Sequence, residues 1–177
     1  MWKGKSARLS FTVIGISALA ATSAAAAESL EMISYANAPG GAEIEAGDYD
    51  AAIAAASSRF WRLNTESALI ASTNLCVAYT VKGEIDAAED ACAEALSVAR
   101  SVDRASRNSG RRVTQGGATA RALSNRGVLR AVVGDALLAA ADFREAGRVS
   151  GAWEVPGRNL DLLESSAALR AAVAAAE

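Results

Sequence analysis

Asn74-Leu-Cys-Val-Ala-Tyr-Thr-Val-Lys-Gly-Glu-Ile-Asp-Ala-Ala-Glu-Asp-Ala-Cys-Ala-Glu-Ala95 aligns without a gap to Asn125-Arg-Gly-Val-Leu-Arg-Ala-Val-Val-Gly-Asp-Ala-Leu-Leu-Ala-Ala-Ala-Asp-Phe-Arg-Glu-Ala146. Asn74 falls on Asn125, Gly83 on Gly134, Ala88 on Ala139, Cys92 on Phe143 and Ala95 on Ala146. A half copy, Gly47-Asp-Tyr-Asp-Ala-Ala-Ile-Ala-Ala-Ala56, repeats the glycine with Ala52 five residues later. Repetition in a fixed register decides the architecture before any single residue does.

Each copy reads as two helices around a glycine. From Ser67 to Tyr79, small or apolar residues recur three and four apart: Ala68, Ala71, Leu75, Cys76 and Tyr79. From Glu84 to Val98 the stripe is Ile85, Ala88, Cys92, Ala95 and Leu96, and Gly83 between the stripes is a turn signal. About a quarter of the chain is Ala, the best helix former. Only Pro39 and Pro156 can interrupt a helix, and no run of alternating β-branched residues argues for a sheet.

From roughly residue 43 to 150 the pattern resembles the tetratricopeptide repeat, a helix–turn–helix unit of about 34 residues. Cys76 with Ala88, and Gly127 with Ala139, match the small residues that let paired helices approach. Gly83 and Gly134 match the turn glycine, Tyr79 the bulky residue before it, and Phe143 and Ala146 the late residues of the second helix. Arg130 departs from the usual aromatic, and the closing proline is missing from both units. The resemblance implies an all-α fold, a short right-handed helix–turn–helix solenoid of about two and a half repeats. Its parts are a half repeat 43–57, a repeat 66–99, an Arg-rich insertion 100–117 whose start can extend the preceding helix and whose end reads as a loop, a repeat 119–148 and a capping helix 159–175. Ser29 to Ala36 reads as a further short helix. Ser57 to Thr65 reads as a connection whose Phe60 and Trp61 cover the first hairpin, and Gly151 to Gly157 as a loop. Asn159 or Asp161 is the expected cap of the last helix.

Residues 1–27 have the order of a cleavable signal: Lys3, Lys5 and Arg8, then apolar Leu9 to Ala21, then Ala25-Ala-Ala27. The apolar core is shorter than the roughly 20 residues of a spanning helix. Cleavage leaves one domain from Glu28, without an integral membrane segment, in the periplasm; secretion beyond the cell is the alternative. That mature chain holds 15 Lys and Arg against 20 Asp and Glu, a net charge of −5, which argues against nucleic-acid binding. In an oxidising compartment Cys76 and Cys92, the only cysteines, are expected to pair across the hairpin that the resemblance implies. Two buried free thiols are the alternative.

The chemistry of an enzyme is hard to assemble from these residues. Without histidine there is no histidine triad and no His-based metal site. Lys82 is the only lysine of the mature chain, beside a turn. Asp48-Tyr-Asp50 begins like a calcium loop, but Arg59 stands where a bidentate Glu is required. Asp86, Asp90 and Glu94 share a helix face that reads as solvated. The expectation is a non-enzymatic scaffold without metal or cofactor.

In the family resembled, first helices line a groove that holds partner peptides. The groove candidates here are Ile70, Thr73, Asn74, Val77 and Thr80, then Arg121, Ser124, Asn125, Val128 and Val132. Asn74 and Asn125 match places where an amide can donate to and accept from an extended main chain. The expected partner is a protein or peptide, with self-association a second outcome of so short an array. The rival reading assigns Arg104, Arg107, Arg111 and Arg112 of the insertion to an anionic polymer or lipid of the envelope.

Overall fold

A computed structural model of the chain describes residues 30–58, 64–109, 117–151 and 153–165. Among these are seven α-helices and no β-strand. They are α1 Gly41–Ala46, α2 Tyr49–Ala56, α3 Thr65–Lys82, α4 Ile85–Asn108, α5 Ala118–Val132, α6 Ala136–Ser150 and α7 Val155–Ser165. Each helix packs on the next, and α3 also touches α5, as α5 does α7. The first 27 residues, Phe60, Trp61, Arg59, Arg111 and Arg112 lie outside the described residues. No described helix is long and apolar enough to cross a membrane.

The three turn glycines share one local geometry. Gly47, Gly83 and Gly134 have φ of 77°, 75° and 89°, which side-chain-bearing residues rarely adopt. Each N–H reaches back three residues, to Ile44, Thr80 and Ala131, while the following N–H reaches back five, to Glu43, Tyr79 and Arg130. That pair of bonds satisfies the last carbonyls of a helix and reverses the chain. Asp48 and Asp135 then cap α2 and α6, accepting from Ala51 N–H at 3.0 Å and Leu138 N–H at 3.3 Å.

The two long hairpins are sealed at the same register by different chemistry. In α3–α4, Cys76 and Cys92 form a disulfide with their Cα atoms 4.7 Å apart. In α5–α6 the matching positions are Gly127 and Phe143, and a Cβ on Gly127 would lie 2.6 Å from the Phe143 ring. Phe143 is 1 % exposed and has no room to retreat. Gly127→Ala is therefore expected to destabilise by about 1–3 kcal/mol, since overpacking outweighs the ~1 kcal/mol of helix propensity gained. A urea titration beside the parent checks the sign.

Arg130, the misfit of the repeat pattern, has a partner. Asp142 on α6, 4 % exposed, accepts from Arg126 Nε and Nη2 at 2.8 and 2.7 Å, and Arg130 Nη1 lies 2.8 Å from the same carboxylate. Asp142→Asn would leave both guanidiniums without a counter-charge. Because they keep some access to water, a loss of about 2 kcal/mol is expected, below that of a fully buried pair. Thermal unfolding at low and at high salt reads it.

Two boundaries differ from those read in the sequence, and at a third the start of the insertion extends the preceding helix, one of the two readings its sequence allows: residues 100–108 continue α4. There Asp103 turns inward and accepts from Ala118 N–H at 3.2 Å and Thr119 N–H at 2.8 Å, so α4 caps the start of α5. The last helix begins at Val155, not at Asn159, because Pro156 suits a first turn, where its missing N–H has no acceptor to find. The expected helix at Ser29 to Ala36 does not form: Leu30 to Tyr35 are non-helical.

Candidate peptide groove

Leu30 to Tyr35 cross the faces of α7, α5 and α3 in that order. Glu31 N–H donates to Asn159 Oδ1 at 2.9 Å, and Asn159 Nδ2 donates back to Glu31 O at 2.8 Å. Asn125 on α5 treats Ile33 the same way, at 2.8 and 2.9 Å. Asn74 on α3 accepts from Tyr35 N–H at 2.8 Å and donates to Tyr35 O at 3.3 Å and Pro39 O at 2.9 Å. Alternate residues of an extended chain present N–H and C=O to one side, and two residues advance about 6.6 Å. Neighbouring helix axes lie about 8–10 Å apart, so alternate residues meet successive helices. All three asparagines are 0 % exposed, and Tyr35 O also accepts from Ala38 N–H at 3.2 Å.

This arrangement explains why the segment is not a helix. Its N–H and C=O groups at 31 and 33 and its N–H at 35 are satisfied by side chains, and Tyr35 O is shared between Asn74 and the turn at Ala38. Its side chains are anchors. Leu30 and Met32 enter the main apolar cluster with Val77, Val128 and Leu163. Tyr35 packs on the second cluster, among Leu69, Leu96 and Leu123. The Arg121 guanidinium lies 5.5 Å from the Tyr35 ring centroid. Burial pushes the Tyr35 hydroxyl above its ordinary range, although Arg121 opposes the rise. Arg158 pairs with Glu31.

The other sequence candidates fall in three groups. Thr73 and Thr80 are buried and donate to carbonyls of their own helix, Leu69 O and Cys76 O, both at 2.7 Å. Ser124 is buried beside Asn159, whose Nδ2 reaches its Oγ at 3.4 Å. Ile70 and Val132 are half-buried. Arg104 and Arg107 are exposed on the last turns of α4, as is Arg100. Asp48 is a helix cap, Asp50 pairs with Lys82, and no described cluster of three or more acidic or sulfur side chains suits a metal ion.

Sequence reasoning missed Asn159 as a main-chain reader. The signal was present: Asn159 stands 34 residues after Asn125, the length of the repeat unit that the sequence resembles. It was also blind to the segment itself. No family model, curated protein or solved structure matches the chain.

Proposed function

We propose that this protein is a non-enzymatic, tetratricopeptide-like adaptor that binds an extended peptide of a partner protein across α3, α5 and α7. One observation carries the reading: three buried asparagines, one per alternate helix, hold both main-chain groups of residues 31, 33 and 35. Main-chain readout of this kind suits many sequences, while the flanking clusters select side chains. The spacing of the asparagines and the shared turn geometry support a repeat array, and the chain's own segment supplies the template of a ligand. The two aspartates among the buried residues are committed elsewhere, Asp103 to a helix end and Asp142 to two arginines. The signal-like residues 1–27 support an address in the periplasm.

Selection of a displayed library of random nine-residue peptides on the full chain tests the reading. Binders that fail on an Asn125→Ala chain support it. Retention of anionic sequences alone, lost instead with Arg104→Ala/Arg107→Ala, would transfer the function to the arginine face of α4.

A further inference from the structure

The segment lying in the groove fits well along its main chain and poorly at two side-chain atoms. Ser34 is 1 % exposed, yet its Oγ has no hydrogen-bond partner among the described residues. Glu31 Oε1 is likewise buried and unpartnered, while Oε2 meets Arg158. A buried polar atom without a partner keeps the cost of leaving water and recovers nothing. A covalently attached segment tolerates such a defect, because attachment gives it a high local concentration at any intrinsic affinity. A free ligand with a small apolar residue in place of Ser34 would have the better fit, while an acid at the second place keeps the pairing with Arg158.

We infer that the groove's ligand is an extended segment of a partner protein with the order aliphatic, acid, aliphatic, aliphatic, small apolar, aromatic, and that it displaces Leu30 to Tyr35. The inference rests on the peptide-binding reading above. Five of the six positions have a direct reason, and the fourth keeps the aliphatic character of the buried Ile33. The first and third side chains enter the main cluster as Leu30 and Met32 do. The acid meets Arg158, and the aromatic lies under Arg121 on the second cluster. The fifth is small and apolar because the site around Ser34 closes on its side chain and offers its hydroxyl no partner. Main-chain bonds to Asn159, Asn125 and Asn74 fix the register.

The test uses the full chain and an Ile33→Pro variant, which lacks the main-chain donor to Asn125 and so loosens the tethered segment. Three labelled nine-residue peptides are titrated by fluorescence anisotropy: Leu30 to Ala38 as it stands, the same with Ser34→Ala, and a scramble of the latter. The alanine peptide should bind Ile33→Pro at least threefold tighter than the serine peptide and tenfold tighter than the scramble. It should bind the unaltered chain at least tenfold more weakly than the variant. Equal binding of the scramble overturns the pattern and leaves main-chain reading intact. Binding of no peptide by a helical, disulfide-bonded variant overturns both. If the variant does not fold, amide exchange of the unaltered chain decides. Saturating alanine peptide should cut protection at Ile33 and Tyr35 by at least tenfold while α5 amides are unchanged, and unchanged protection at Ile33 overturns displacement. A stable dimer that exchanges segments between copies would give the groove to a second copy and overturn a foreign ligand.

Discussion

Asn125→Ala should cost roughly 3 kcal/mol or more, because it orphans two buried main-chain groups at once. The Ile33 N–H and C=O each lose their partner, at a site where Ile33 is 5 % and Asn125 0 % exposed. Asn64 provides the contrast within the same chain. Its side chain caps α3 at an exposed position, accepting from Ser67 N–H at 2.9 Å, and its loss should cost only about 1 kcal/mol. Asn125→Asp keeps an acceptor for Ile33 N–H but loses the donor to Ile33 O, and should fall near the alanine variant. The loss has a ceiling, since the segment can leave the groove before the helices unfold. Amide exchange at Ile33 and Tyr35 then rises well before the urea midpoint moves. An exchange rate at Ile33 equal to that of the parent would show that Asn125 does not hold the segment.

The second large effect is expected from the disulfide. Cys76→Ala/Cys92→Ala opens a loop of 15 intervening residues, worth about 3 kcal/mol in the chain-entropy model, or roughly 6–12 °C in Tm for a domain of this size. Both cysteines are at most 1 % exposed, so the native protein should resist mild reductant that reaches the bond quickly in urea. Measured reduction rates with and without denaturant give the answer; equal rates would place the bond on the surface. In α5–α6 the matching Gly127 and Phe143 seal the hairpin by contact alone, so its midpoint owes nothing to redox state.

What could be read from the sequence follows the range of the forces involved. Gly47, Gly83 and Gly134 announce their turns because the bonds that need a left-handed residue lie within five positions. The helical class follows for the same reason. Asn74 and Asn125 stood out as paired amides, but what they touch did not. Leu30, Ile33 and Ala36 have helical spacing, and the bonds that keep the segment extended come from 39, 92 and 128 residues away. Asn159 reads as a cap rather than a main-chain partner because Pro156 and Gly157 look like a loop, although proline in a first turn starts a helix as readily as it ends one. Arg130 looked like a defect in the repeat until Asp142, twelve residues on, supplied its charge.

The path of Leu30 to Tyr35 also sets an order of events. A chain is delivered amino-terminus first, and α3–α4 and α5–α6 can close from contacts between neighbours in sequence. The segment is among the first of the described residues to emerge and the last to find its place, because Asn159 follows Glu31 by 128 residues. Closing so long a loop is slow, and its contacts raise the contact order of the fold. Refolding should therefore show a fast phase that restores helicity and a later one that buries Tyr35, with a groove standing open in between.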